Sequence, residues 1–152
     1  MSKMITSKIR SCSYLGIPFL LGGRDPHTGL DCFGLVRQVL LDHGRPCPDV
    51  PAGYPADWAQ HQDLVGDHLT QFGNLWQPIP IPEPLAVVAM SCTTHHSPLT
   101  THQIIDHLGI IPPDAPLPPT HFLTTWQHTG TVHIPLRPWQ HKIKSYYRFL
   151  PS

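Results

Sequence analysis

The 152-residue sequence lacks a C-x-x-C pair, an excess of either charge and a long apolar run, and each absence removes a class of protein. Its four cysteines, Cys12, Cys32, Cys47 and Cys92, stand singly and far apart. That spacing suits neither a zinc ribbon nor a disulfide scaffold and makes a reduced compartment the simpler expectation. Ten Lys+Arg balance ten Asp+Glu, so no nucleic acid and no anionic membrane is expected as partner. No stretch reaches the roughly 18 apolar residues of a membrane span, and the opening residues lack an apolar core followed by a small-residue cleavage site. No membrane insertion and no Sec signal are therefore expected, and the chain is read as cytoplasmic when synthesised. There is no internal repeat, and the length suits a single domain over residues 1–152.

Proline and histidine are plentiful, at nineteen and twelve. The prolines gather in three tracts, residues 46–55, 78–84 and 112–119. Each separates segments with an apolar pattern, so the tracts are read as rigid connectors. A first helix is expected over 4–15, ending at Gly16 before Pro18, and another over 62–72, ending at Gly73-Asn74. The second half carries apolar runs of strand length at 85–90, 106–110, 122–126, 131–136 and 143–150, with a turn at His128-Thr129-Gly130. Helices followed by a run of antiparallel strands make an α+β pattern.

Between these halves, residues 22–44 read GGRDPHTGLDCFGLVRQVLLDHG. Glycines and Asp25-Pro26 favour turns up to Asp31. From Phe33 the spacing of Leu35, Val36, Val39 and Leu40 is that of a helix face, and Gly44 stops it. Cys32 therefore starts a helix, where unpaired N–H groups and the positive dipole end favour a thiolate. A buried cysteine that only packs is the competing reading. Asp31 is positioned to cap that helix. A cysteine nucleophile needs a base and a third group to orient the base. Of the histidines, His107 is singled out by its place inside an apolar strand pattern, where an imidazole must find a specific partner. His95, His96 and His102 lack a partner spaced to complete a tetrahedron, so no metal and no cofactor are expected. Trp126, Trp139, Tyr146 and Tyr147 suit either a glycan groove or the core.

YLGIPFLLGGRDPHTGLDCFGLV resembles the signature of the NlpC-like cell-wall cysteine peptidases, Y-x-G-x-P-Y-x-x-G-G followed by D-C-S-G-L-V. The form GRDP…GLDC[aromatic]GLV resembles more closely the subgroup found in phage tail proteins. HLGII resembles the family's H-V-G-I-Y strand, and FLTTWQHTGTVHIPLRPWQHKIKSYYRF its C-terminal strands. The resemblance implies a papain-like α+β domain, with N-terminal helices packed on an antiparallel sheet of about five strands. It implies Cys32 as nucleophile, His107 as general base and the Cys32 N–H as an oxyanion donor. The family's orienting residue falls at Thr124, with His121, Gln127 and His128 as alternatives. Asp31, Phe33 and Phe19 fall at substrate-binding positions. Phe19 replaces a Tyr whose hydroxyl lies near the oxyanion, a donor that Tyr14 could replace, and Phe33 replaces a Ser.

The implied activity is hydrolysis of an amide in the peptide stems of bacterial peptidoglycan, between γ-D-glutamate and diaminopimelate. The stems would be the partner, reached by a route other than Sec or as part of a phage tail. Two alternatives remain. One is a weakly active or inactive tail module with the same fold. The other is a thiol amidase or acyltransferase on a different substrate.

Overall fold

Asp31 ends an extended segment and its side chain accepts a hydrogen bond from the Gly34 N–H, which starts helix α1, Cys32–Asp42. The computed structural model describes residues 11–49, 68, 71–92 and 105–150. One face of α1 buries Phe33, Leu35, Val36, Val39 and Leu40, each stabilising the fold by about 1.5–3 kcal/mol relative to exposure. The turn before α1 is a two-stranded hairpin, β1 (Arg24–Asp25) paired with β2 (Gly29–Leu30). It lies so close to α1 that a Cβ on Gly34 would overlap the carbonyl oxygen of Gly23. Only glycine fits there.

The face of α1 packs on a six-stranded antiparallel sheet. Its strands are β3 (Trp76–Ile79), β4 (Val87–Met90), β5 (His107–Ile110), β6 (His121–Trp126), β7 (Gly130–Pro135) and β8 (Ile143–Phe149), in the spatial order β3-β8-β4-β5-β6-β7. The core between helix and sheet contains Leu35, Val36, Val39, Val87, Leu108, Ile110 and Leu123. Alternation along the strands turns Val88, Met90 and Phe122 to the other face, where Leu136 joins them. Ala115 from the second-half proline tract and Trp139 cover part of that face. Gly109 stands where a Cβ would lie 2.5 Å from the Phe122 ring.

The α+β expectation agrees with this mixture of one described helix and a mostly antiparallel sheet, and two of its details are corrected. The sheet has six strands, not about five. The additional strand, β3, contains Pro78, which reads as a connector in sequence. Proline cannot donate to a ladder, and β3 sits at the sheet edge with its single neighbour β8, where Pro78 faces Tyr147. The N-terminal helices are not a set of long helices among the described residues. Residues 4–10 lie outside them, and Ser11–Ser13 is one 3-10 turn. Of the helix expected over 62–72, His68 and the last residues are described. The Phe72 N–H bonds the His68 carbonyl at 2.9 Å, a helical i to i−4 link, before the turn Gly73–Leu75. Among the described residues, no helix is long and apolar enough to cross a membrane.

Candidate active site

The local sequence around Cys32 builds a rigid cradle. Asp31 is almost wholly buried. Its Oδ1 accepts from the Gly34 N–H at 2.7 Å and from Arg24 Nη1 at 2.8 Å, and its Oδ2 accepts from the Gly22 N–H at 3.1 Å. Arg24 Nε also donates to Asp49 at 2.9 Å, and the guanidinium lies 5.4 Å from the centre of the Phe33 ring. Asp31 is thus helix cap, ion-pair partner and tie for the glycine turn at once, with both oxygens engaged inside the protein. Arg24 carries no local signal for this position, because the β1–β2 hairpin is what returns it to Asp31.

Cys32 is 5% exposed. Burial pushes its thiol well above the ordinary range, and the Asp31 carboxylate pushes the same way. Hydrogen bonding from the Leu108 and Phe33 backbones pulls it down, as does the charge on Arg24. Burial wins. The expected stabilisation of a thiolate by the helix start is therefore outweighed, and Cys32 rests as a thiol. Its own N–H belongs to the first turn of α1, where no carbonyl within the helix can take it.

His107 is the first residue of β5 and is 8% exposed. Its Nε2 lies 2.6 Å from Thr124 Oγ1, and that same hydroxyl lies 2.7 Å from the Leu108 carbonyl oxygen. The carbonyl can only accept, so the single hydroxyl proton goes there and the hydroxyl must accept from Nε2–H. Nδ1 is left with the free lone pair. Burial lowers the imidazole pKa to about 4, opposed by the charge of Asp106, so His107 is neutral across the physiological range. Cys32 shares the core between α1 and the sheet with Leu108, the residue that follows His107 on β5. Among the described residues no hydrogen bond links the thiol and the imidazole to each other.

Of the four residues considered for the third position, Thr124 is the one brought to His107. His121 bonds Thr120 and lies against His133, while Gln127 and His128 are exposed on the β6–β7 turn. Phe19 is half-buried beside β2, paired with Leu30 through an isolated bridge. Tyr14 does not replace its missing hydroxyl, because the Tyr14 O–H is spent on Asp42 at the far end of α1, at 2.9 Å. Phe33 packs edge-on to His68, with ring centres 5.1 Å apart.

His68 was not singled out by sequence. It is 1% exposed, accepts at Nδ1 from Trp76 Nε1 at 3.2 Å and therefore donates through Nε2 to the Pro48 carbonyl at 3.0 Å. The spacing Leu64, His68, Phe72 puts it on an apolar helix face and is the signal that could have found it. It borders an apolar void of about 10 Å³ with Phe33, Val36, Trp76 and Leu108, too small for a ligand group. His95, His96 and His102 lie outside the described residues, among which no group of three His, Cys, Asp or Glu side chains could hold a metal ion.

No protein-family model matches the chain, and no curated protein does. Among solved structures, one from Staphylococcus aureus subsp. aureus Mu50, described as similar to lipoprotein of the NLP/P60 family, matches with a TM-score of 0.55 at 21% identity. The fold is shared with an NLP/P60 family protein. The match covers 98% of this chain and 40% of the other, so this chain spans well under half the length of the protein it resembles. At that identity the likeness concerns the NLP/P60 fold alone, and the chemistry must be argued from the residues above.

Proposed function

We propose that the protein is a thiol hydrolase of the NlpC-like kind, nearest its phage-tail subgroup, acting on peptide stems of bacterial peptidoglycan at the γ-D-glutamyl–diaminopimelate bond. One observation carries the reading: Thr124 engages His107 Nε2 and leaves Nδ1 as a base on the strand whose next residue, Leu108, shares the core with Cys32. Both groups start neutral, so sulfur attack on the carbonyl carbon and transfer of the thiol proton to Nδ1 belong to one step. The Cys32 N–H stabilises the oxyanion. The imidazolium then gives its proton to the leaving amine, the amide C–N bond breaks and a thioester remains. Water deprotonated by His107 hydrolyses the thioester and restores the thiol.

The test is the release of soluble muropeptides from purified sacculi. Cys32→Ala is expected to lower the rate by at least about a thousandfold, and products ending in γ-D-glutamate are expected by mass spectrometry. Equal release by the variant would overturn the assignment of the nucleophile, and amide products of another kind would favour an amidase or acyltransferase. The burial of both groups, with no hydrogen bond between them, favours a second reading, a tail module with a quiescent site. Labelling of Cys32 by a thiol-directed probe at neutral pH, slower than that of a free model thiol, would support it.

A further inference from the structure

Two contacts of different kinds hold His107, and only one is a hydrogen bond. The bond to Thr124 pins Nε2, yet a single bond leaves the ring free to swing about the line joining Nε2 and Oγ1. The second contact removes that freedom. The Trp126 indole lies flat on the imidazole, with ring centres 3.8 Å apart and planes 5° from parallel. The register explains the meeting, since Ile110 opposite Leu123 brings His107 level with Trp126 on the neighbouring strand. Trp126 is braced in turn by Trp139, with ring centres 5.5 Å apart and planes 30° from parallel. Its carbonyl accepts from the Thr129 N–H at 3.2 Å in the turn that follows.

We infer that Trp126 is a positioning residue for His107: the indole fixes the plane of the imidazole, so that Nδ1 keeps one direction, and its face stabilises the imidazolium while the ring carries the thiol proton. The inference rests on the Cys–His reading given above. A cation over an indole face is attracted by the ring quadrupole, most strongly where water is excluded, and His107 is buried. Burial opposes the imidazolium, while Asp106 and the indole favour it. The cation–π part of the contact acts only on the charged ring, which forms during the reaction, so that part favours the transition state over the ground state. The face that Trp126 gives to the imidazole is lost to a glycan, so for this side chain support of the base replaces the glycan groove that the sequence left open beside core packing.

The test uses the full chain with Trp126→Leu and Trp126→Phe. In the leucine variant kcat on sacculus fragments is expected to fall about tenfold with KM unchanged, and phenylalanine is expected to restore most of the loss. Imidazole nitrogen spectra recorded against pH, with the His107 signal assigned by its loss in His107→Gln, are expected to show the ring holding its proton less well in the leucine variant than in wild type, with the phenylalanine variant close to wild type. In wild type alone the carbon-bound ring protons of His107 are expected upfield of those of the exposed histidines, through the ring current of the stacked indole. Wild-type kcat together with an unchanged His107 titration in the leucine variant would overturn the inference. So would unshifted His107 ring protons, a measurement that needs no variant to fold. If the wild-type protein releases no muropeptide, the peptidase reading fails, and the spectra still decide whether Trp126 orients the ring.

Discussion

The two sides of the candidate site are held in opposite ways. Around Cys32 the scaffold is charged: Asp31 and Asp49 pair with Arg24, and the carboxylate of Asp31 also ties Gly22 and Gly34. Around His107 the direct contacts are uncharged, a threonine hydroxyl below one nitrogen and an indole across the ring. A charged scaffold can hold a turn rigid because each charge meets a partner and several backbone donors. A neutral one leaves the imidazole uncharged at rest, since no carboxylate accepts from Nε2. The thiol side therefore depends on ion pairing, and the base side depends on shape and donor count.

Removing the charge at its centre should have the largest effect. Asp31→Ala is expected to cost about 3 kcal/mol in denaturant unfolding, through loss of the cap and of the Arg24 partner together. An unchanged midpoint would mean that Asp49 alone satisfies Arg24 and that the charged side is redundant. The base side should show itself through pH. His107 in the unfolded chain binds a proton below about 6.5, while in the fold it does so only below about 4. The unfolded state thus holds more protons between these values, so stability is full above about pH 6.5 and falls as pH drops towards 4, by at most about 3 kcal/mol. His68, also lowered by burial, adds to the same trend. In His107→Gln the fall over that window should shrink, and a slope unaltered by the substitution would assign it to other groups. The smallest effect is expected at Thr124. Thr124→Val leaves the Leu108 carbonyl and Nε2–H without partners and should cost about 2 kcal/mol, with Thr124→Ser recovering most of it. Equal stability of the valine and serine forms would show that the hydroxyl does not hold the base.

Much of this arrangement was legible in residue order. The turn residues before Cys32 and the helical spacing after it mark the helix start because both are local effects of backbone conformation and side-chain period. The strands carrying His107 and Thr124 are legible for the same reason, as short apolar runs bounded by turns. β3 was hidden, because Pro78 forbids a central strand and sequence does not say which strand will be the edge. His68 was hidden among polar neighbours, although its spacing from Leu64 and Phe72 marks the apolar face. Arg24 had no signal at all, since its partners at Asp31 and Asp49 meet it only once the hairpin closes.

Sequence by itself determined α1 and its capping by Asp31, five of the six strands of the large sheet, and the resemblance that points to Cys32, His107 and Thr124. The tertiary structure decided the chemical state of those groups. Local sequence favours a thiolate at a helix start, yet burial between α1 and the sheet makes Cys32 a thiol, because the desolvation of a charge depends on everything packed around it. The free nitrogen of His107 was decided in the same way, by a carbonyl one residue along β5 that claims the only proton Thr124 has to give.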